Sequence, residues 1–306
     1  MRILVTGGAG FIGSNFVRRT LATRPDTRVT VLDKLTYAAN PASLADLDAG
    51  RCRLVEGDVC DAALVDDLVA DADLVVHFAA ESHNDRSLRD PAAFVRTNVE
   101  GTVAVLAACA RHDVRLHHIS TDEVFGDLAL DDPARFTPQT PYRPSSPYSA
   151  SKASADHFVR AWVRSFGLRA TISNCSNNYG PRQHPEKFIP RQILRLLSGR
   201  PPRSTIVQTY LIGADGEASN LDVVRALNRA FGRAADDFEH VTDRPGHDRR
   251  YAIDAASTRA LGWTPRHTDL AAGLAATVDW YRANEPWWRA AFDAAEDFYA
   301  ATERRR

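Results

Sequence analysis

Lysine is nearly absent from this sequence. Among 306 residues there are three lysines, Lys34, Lys152 and Lys187, against 35 arginines. Arginine cannot replace a lysine that acts as a compact point charge with a tunable pKa. The three remaining lysines are therefore candidates for specific roles, with chance survival as the alternative for any one of them.

Cysteine, net charge and long apolar runs are also scarce, and each absence excludes a class of protein. The four cysteines are Cys52, Cys60, Cys109 and Cys175. They form no C-x-x-C pair or metal-type cluster, which is typical of reduced thiols and predicts no metal site. The net charge of −1 gives no general attraction to nucleic acid or membranes, and Arg304–Arg306 is typical of a solvated tail.

Two further absences concern membranes and targeting. No apolar run approaches the ~20 residues of a membrane span. Met1 leads directly into a strand-like segment, so we expect no signal peptide. The prediction is a soluble, cytoplasmic protein without nucleic-acid or membrane partners.

Short apolar strands alternate with amphipathic helices through the first half of the chain. This alternation predicts an α/β fold with a Rossmann-type, doubly wound parallel sheet. The predicted strands are Ile3–Thr6, Val29–Asp33, Cys52–Glu56, Leu74–Ala79, Leu116–Ser120 and Ala170–Asn174. The predicted helices are Ile12–Ala22, Ala62–Ala70, Ala92–Arg111 and Pro147–Phe166. Residues 1–175 would form the cofactor domain and 176–306 a smaller C-terminal substrate lobe, in which only Tyr210–Ile212 has the pattern of a strand.

A glycine-rich turn follows the first strand. Gly7, Gly10 and Gly13 permit a tight turn and let backbone amides approach a pyrophosphate at a helix N-terminus. Asp33 ends the next strand twenty residues after Gly13, where a carboxylate holds ribose hydroxyls and repels a 2′-phosphate. We therefore expect NAD rather than NADP, with a non-binding glycine turn as the alternative. Asp58 follows the third strand and the segment 78–82 follows the fourth, at the edge where ligands bind.

Two polar clusters indicate catalysis. Tyr148 and Lys152 are four residues apart and share one helix face, so the ammonium is expected to lower the phenol pKa and make Tyr148 a base. Thr121, Asp122 and Glu123 follow an apolar strand. The two acids can serve as a separate acid and base if the strand has ended by Asp122. The alternatives are a surface tyrosine on an amphipathic helix and a solvated acidic turn.

With these residues in place, the chain resembles the extended short-chain dehydrogenase/reductases, and within them the dTDP-glucose 4,6-dehydratase family. The resemblance covers nearly the whole chain. Its motifs are Val5–Asn15, Leu32–Tyr37, Phe78–His83, Ser120–Val124, Pro147–Lys152, Asn174–Pro181, Pro185–Pro190 and Asp243–Tyr251. The glycine turn and the Tyr/Lys pair identify the superfamily, whereas the Thr-Asp-Glu triplet is specific to the dehydratases.

The resemblance implies an NAD-dependent hydro-lyase that makes dTDP-4-keto-6-deoxyglucose from dTDP-glucose for deoxysugar synthesis. Tyr148, assisted by Lys152, would deprotonate the 4-hydroxyl during oxidation at C4, and Thr121 would bind that oxygen. Glu123 would remove the C5 proton and Asp122 would protonate the departing 6-hydroxyl. Hydride would then return to C6.

The resemblance also implies the binding residues. Those for NAD are Gly7, Gly10, Phe11, Ile12, Gly13, Asp33, Lys34, Thr36, Asp58, Val59, Phe78, Ala79, Ala80, Ser82, Thr97, Tyr148, Lys152 and Asn177. Those for the sugar nucleotide are Ser82, His83, Thr121, Asn177, Glu186, Lys187, Phe188, Asn220, Arg244 and His247. For Arg244 a solvated loop is the alternative. Apolar residues on Ala92–Arg111 and Pro147–Phe166 could build a four-helix homodimer interface or only a one-sided core.

Three positions depart from the family pattern. Asn84 replaces an apolar residue and Phe125 a tyrosine. The junction between Pro202 and Tyr210 has seven residues where relatives carry a further strand and helix, and seven residues cannot form a parallel crossover. Two rival functions therefore stay open: a sugar-nucleotide epimerase or decarboxylase, against which the Asp122–Glu123 pair argues, and a truncated NAD-binding protein with impaired catalysis.

Overall fold

The computed structural model describes residues 1–204, 209–212, 216–241, 250–265 and 267–300. Contacts within the chain divide it into two units. Unit 1 comprises residues 1–124 and 144–175, and unit 2 comprises residues 125–143 and 176–306.

Unit 1 is built on a six-stranded sheet whose strands all run parallel, in the order β3-β2-β1-β4-β5-β6. Reversal of strand order between β1 and β4 is the topological switch point of a doubly wound fold, so the predicted fold class is confirmed. The strands are β1 Arg2–Thr6, β2 Arg28–Asp33, β3 Cys52–Glu56, β4 Leu74–His77, β5 Arg115–Thr121 and β6 Ala170–Cys175.

The helices of unit 1 follow the predicted pattern with one difference. They are α1 Phe11–Thr23, α2 Ala62–Ala70, α3 Asn84–Arg89, α4 Pro91–Phe94, α5 Gly101–Arg111 and α6 Pro147–Phe166. The predicted helix Ala92–Arg111 is interrupted by a π-helical turn, Val95–Glu100, between α4 and α5. Short 3₁₀ turns occur at Pro41–Ser43 and Asp122–Phe125.

Local sequence accounts for the helix ends. Asp61 caps α2 by accepting hydrogen bonds from the first-turn amides of Ala63 and Leu64. Helix α6 begins with a capping box between Ser146 and Ser149 and ends at Gly167, whose φ of 69° suits a residue without a side chain.

Strand β4 is shorter than predicted, because it ends at His77 rather than Ala79. The amide of Phe78 still reaches the carbonyl of Thr6, but that of Ala79 bonds to the Thr6 hydroxyl instead of to a strand carbonyl. The glycine turn approaches the chain closely at this point: a Cβ on Gly7 would lie 2.6 Å from the amide nitrogen of Ala79.

By length and composition alone, the stretch Pro91–Arg111 is long and apolar enough to cross a membrane. The sequence had indicated no such segment. Its α5 portion packs against α2 and α6, and Val105, Leu106 and Cys109 lie in the apolar core of unit 1. A core helix passes the same length and composition test.

Unit 2 is mostly helical. Its elements are α7 Phe188–Leu197, β7 Arg203–Ser204, β8 Thr209–Ile212, β9 Gly216–Ser219, α8 Asn220–Ala230, β10 Glu239–His240, α9 Ala256–Arg259, α10 Leu270–Ala283 and α11 Glu285–Ala300. Strand β7 pairs parallel with β10, and β8 pairs antiparallel with β9. Only four residues separate β7 from β8. The apolar core of unit 2 joins α7, α8, α10 and α11 through residues such as Ile193, Leu227, Tyr281 and Phe292.

The boundary drawn after residue 175 needs a correction, because residues 125–143 group with unit 2. Phe136 forms a parallel bridge to Ile253. The buried guanidinium of Arg250 donates to the carbonyls of Asp132 and Ala134 and pairs with Glu217 at 2.8 Å. These long-range contacts could not be inferred from local sequence.

Candidate active site

The glycine turn has the geometry of an anion cradle. Gly7 has a φ of 69°, and a Cβ on Gly13 would lie 2.3 Å from the carbonyl oxygen of Gly7. Both positions therefore require glycine. Gly10 occupies the N-cap of α1 with extended backbone and no side chain to cap the helix, so the first-turn amides face an open approach.

Asp33 ties this turn to the end of β2. Its carboxylate accepts hydrogen bonds from the amides of Ala9 and Leu35, both at 2.9 Å. Burial raises the pKa of Asp33, and the two backbone hydrogen bonds oppose that rise. Nearby, the ammonium of Lys34 lies 2.6 Å from a carboxylate oxygen of Asp58.

The other predicted cofactor residues of unit 1 lie where the chain leaves the sheet. Carboxyl ends of parallel strands share one edge. Phe11 and Ile12 form the first turn of α1, Thr36 follows β2, Val59 follows β3, Phe78, Ala79, Ala80 and Ser82 follow β4, and Thr97 lies in the π-helical turn. These residues fit a dinucleotide bound across the switch point, with the pyrophosphate at the glycine turn.

Tyr148 and Lys152 are buried on α6, with 9% and 4% of their surfaces exposed. The ammonium of Lys152 donates to the carbonyl of Ile119 at 2.7 Å. Burial raises the pKa of Tyr148 well above its usual value, the charge of Glu123 raises it further, and a hydrogen bond with Thr121 opposes the rise. The expectation that Lys152 lowers this pKa is therefore wrong for the protein as it stands, because burial and acidic neighbours dominate.

The triplet lies at the end of β5 in the arrangement that two cooperating acids require. Strand β5 ends at Thr121 and a 3₁₀ turn begins at Asp122, so the two acids are not held on opposite faces of a strand. The Thr121 hydroxyl accepts from the amide of Glu123 at 3.2 Å and donates to Asp122 at 3.4 Å. Asp122 is 1% exposed and Glu123 half-buried. The pair therefore differs in environment, as distinct acid and base roles demand.

Asn84, at the first position of α3, contacts this triplet. Its side-chain amide donates to a carboxylate oxygen of Glu123 at 2.7 Å. Its own oxygen accepts from the hydroxyl of Ser146 at 2.8 Å. Asn84, one of the positions at which the sequence departs from the family pattern, therefore lies in the candidate active site.

Sequence reasoning missed a buried polar network beneath Lys152. Asp156 accepts from Ser120 at 2.8 Å and lies 3.3 Å from the ring nitrogen of His118. Burial and the charge of Lys152 lower the pKa of His118 to about 4. Burial raises the pKa of Asp156, but the contacts with His118 and Lys152 outweigh it and hold the pKa low. The sequence did contain a sign of this network, because Asp156 lies four residues after Lys152 and so shares its face of the helix.

Asn98 was missed as well. It lies in the π-helical turn, is 1% exposed, and exchanges hydrogen bonds with the backbone of Glu81 while donating to Ser151 at 2.8 Å. It therefore fixes the start of the segment that carries Ser82 and His83. π-Helical turns are common at functional sites, but the sequence pattern gave no sign of one.

Several predicted substrate residues belong to unit 2. Glu186 is 2% exposed, and its carbonyl accepts from the Tyr299 hydroxyl at 2.9 Å. Lys187 is the N-cap of α7, which begins at Phe188, and Asn220 begins α8 and is buried. Asn177 is half-buried two residues after β6. Arg244 and His247 lie outside the described residues.

Comparison with known proteins identifies the family of this chain. Residues 3–237 match the NAD dependent epimerase/dehydratase family. The dTDP-glucose 4,6-dehydratase of Mycolicibacterium smegmatis is 57% identical over 98% of both chains, and that of Salmonella typhimurium 44% identical over 94% of both. The crystal structure of dTDP-glucose 4,6-dehydratase from Streptomyces venezuelae, solved with NAD, superposes with a TM-score of 0.89 at 42% identity, covering 95% of this chain and 99% of its own.

The alignment with the Mycolicibacterium smegmatis protein runs over 327 positions, against 306 residues here. At least 21 positions, the difference, are therefore occupied by the relative alone. The motif-based resemblance is confirmed, and the chain belongs to the NAD dependent epimerase/dehydratase family.

Proposed function

We propose that this protein is an NAD-dependent hydro-lyase that converts dTDP-glucose to dTDP-4-keto-6-deoxyglucose. The observation that carries the proposal is the Thr121–Asp122–Glu123 triplet, placed at the end of β5 where the charge of Glu123 acts on the buried Tyr148. Dehydratases with the same activity match nearly the whole chain. Unit 1 carries the proposed catalytic residues and all of the proposed NAD-binding residues except Asn177.

Each step has a group of suitable chemistry. Tyr148 takes the proton of the 4-hydroxyl, and Thr121 holds that oxygen. The C4 ketone then acidifies the hydrogen on C5, which Glu123 removes as a proton. Asp122 protonates the 6-hydroxyl, which leaves as water, and Glu123 returns a proton to C5. Bound NAD supplies the acceptor for the C4 hydride and the donor that returns it to C6, so no net oxidant is consumed.

The raised pKa of Tyr148 has a mechanistic consequence. At neutral pH the phenol is protonated in the protein as it stands. Ionisation therefore accompanies ligand binding or proton transfer, when positive charge in the site offsets burial. Lys152 remains the nearest cationic candidate on α6, held by the carbonyl of Ile119.

The test is incubation with dTDP-glucose and NAD, followed by assay of the alkali-absorbing 4-keto product. The expected result is product formation without net NADH. Recovery of a C4 epimer instead would favour the sugar-nucleotide epimerase, whose fold this chain shares: UDP-glucose 4-epimerase of Thermus thermophilus superposes with a TM-score of 0.83 at 27% identity, over 93% of this chain and 100% of its own. NAD binding without either product would favour the truncated, catalytically impaired protein.

Glu123→Gln tests the central assignment. An amide cannot act as a base, so C4 oxidation should continue while proton removal at C5 stops. In heavy water, the native protein should place solvent deuterium on C5 of the product and the variant should not. Comparable deuterium incorporation by the variant would remove Glu123 from this role.

The proposed assembly is a cytoplasmic homodimer that pairs Pro91–Arg111 and α6 from two copies. Both stretches carry exposed apolar side chains: Val95 is 50% exposed, Phe158 38% and Phe166 65%. Light scattering should give twice the 33.7 kDa chain mass, and Phe166→Glu should shift it toward the monomer.

A further inference from the structure

Asn84 connects the carboxylate of Glu123 to the start of α6. Its amide nitrogen donates to Glu123 at 2.7 Å, and its amide oxygen accepts from Ser146 at 2.8 Å. Because a carboxylate only accepts and the Ser146 hydroxyl donates here, the two contacts require opposite ends of the amide. A side chain that lacks either end cannot make both contacts.

Asn84 is held in place at two points besides its contact with Glu123. The Ser146 hydroxyl accepts from the amide of Ser149 in the capping box of α6. The backbone carbonyl of Asn84 accepts from the hydroxyl of Ser87, which is fully buried. Asn84 is therefore held from its backbone and from its amide oxygen, which leaves its N–H group aimed at Glu123.

We infer that Asn84 is a positioning residue that orients the carboxylate of Glu123 for proton removal at C5. This inference rests on the proposed function. A hydrogen bond to an ionised acceptor is short and strong, and it restricts rotation of a half-buried side chain that would otherwise sample several rotamers.

Asn84 takes no part in the bond changes themselves, so its loss should slow the C5 step without stopping it. Misplacement of a reacting group by ~1 Å costs up to ~10²-fold in rate. We therefore expect Asn84→Leu, which keeps the branched shape without the amide, to slow the C5 step about tenfold.

Single-turnover absorbance of NADH separates this step from oxidation. With the NAD-bound protein and dTDP-glucose, Asn84→Leu should form NADH at the native rate and consume it about tenfold more slowly, with KM unchanged. A substrate deuterated at C5 should show a larger isotope effect in the variant. Ser154→Ala is the matched control, because it removes a side-chain hydrogen bond to the backbone of α6, at the carbonyl of Ala150, and leaves every contact of Asn84 in place; NADH consumption should stay within about twofold of native.

Two more variants keep the inference testable if Asn84→Leu folds poorly. Asn84→Asp preserves the shape and can still accept from Ser146, but it places a second carboxylate against Glu123; its NADH consumption should be at least as slow. Adding Asn84→Leu to Glu123→Asp, which keeps a carboxylate and therefore a slower but measurable C5 step, should cause little further loss, because residues acting through one another are not additive.

Native NADH consumption in both Asn84 variants, or an additive loss in the double variant, would overturn the role of Asn84. If the native protein itself forms neither NADH nor the 4-keto product, the proposed function fails and the failure has another source than Asn84.

Discussion

Units 1 and 2 both bury charged side chains, but they satisfy these charges differently. In unit 1, buried Lys152 and Asp156 attract each other through their charges, but each also makes a hydrogen bond to a neutral group, the carbonyl of Ile119 for Lys152 and the hydroxyl of Ser120 for Asp156. In unit 2, buried Arg191 and Arg195 both pair with one carboxylate, Glu296, at 2.7 and 2.5 Å. These contacts join α7 to α11.

The difference separates groups that can take part in the reaction from groups that stabilise the fold. Burial raises the pKa of Glu296, but the charge and hydrogen bond of Arg191 outweigh it and hold the pKa low, so this carboxylate stays ionised and structural. The Arg191 guanidinium also stacks 3.7 Å from the ring centroid of Tyr299. In unit 1, burial raises the pKa of Tyr148 and lowers that of Lys152, which favours the neutral form of both groups. We therefore expect substitutions of the catalytic groups in unit 1 to affect rate and substitution of the Glu296 cluster in unit 2 to affect stability.

The largest effect should come from Asp122→Asn. Hydroxide is a poor leaving group without an acid, and general acid catalysis contributes about 10²–10⁴-fold. The variant should lose that factor in dehydration, keep C4 oxidation, and keep its melting temperature because the side chain has the same shape. Activity should recover on a substrate with fluorine at C6, which needs less acid assistance. An equal defect on both substrates would show that Asp122 is not the acid.

Glu296→Gln tests the structural role of the buried ion pair in unit 2. Removing one partner of a buried ion pair costs about 3–5 kcal/mol, and here two buried arginines lose the same partner. Chemical denaturation should show the loss, while kcat of the folded protein stays close to native. Glu285→Gln, on the same helix, breaks the exposed pair with Arg289 and should cost less than about 1 kcal/mol. Equal losses in the two variants would contradict a structural role for Glu296.

Acid should destabilise unit 1 through His118. Its pKa is about 4 in the folded protein and ~6.5 in an unfolded chain, so the unfolded state binds more protons between these values. Stability should therefore fall as pH decreases from about 6.5 to 4, by up to ~3 kcal/mol from this group. Asp156, with its lowered pKa, adds a loss below about pH 4.

His118→Gln provides the comparison for the acid effect. The free energy of unfolding, measured by denaturant titration at several pH values, should depend less steeply on pH between 6.5 and 4 in this variant. An unchanged slope would show that His118 does not remain neutral in the folded state.

The smallest effect concerns the short connection between β7 and β8. By resemblance, the strand and helix missing there supply an arginine to the diphosphate, and such a hydrogen bond to a charged group is worth ~1.5–3 kcal/mol. Calorimetry should therefore show dTDP-glucose binding about tenfold to a hundredfold weaker than in relatives that carry this strand and helix, with NAD binding retained. A family segment inserted at Arg203 should restore affinity. Tight binding by the unmodified chain would show that the missing unit is dispensable.

The sequence predicted the sheet of unit 1 well because its strands are short apolar runs whose order fixes a parallel fold. The ends of β1, β2 and β5 also placed the glycine turn, Asp33 and the triplet at one edge. Unit 2 was harder, because residues 125–143 join it through contacts such as Phe136–Ile253, which span more than a hundred positions. Local periodicity carries no information about such pairings.

What the sequence by itself determined are the features that depend on neighbours along the chain. These are the glycine turn that only residues without a Cβ can form, the capping box of α6, and the four-residue spacing of Tyr148 and Lys152. The pKa shifts and the long-range hydrogen bonds of the candidate active site depend on the tertiary structure alone. The raised pKa of Tyr148 arises from burial among acids, and the Asn84–Glu123 hydrogen bond joins residues 39 positions apart. Desolvation and long-range hydrogen bonds exist only once the chain has folded, because both depend on which distant side chains exclude water.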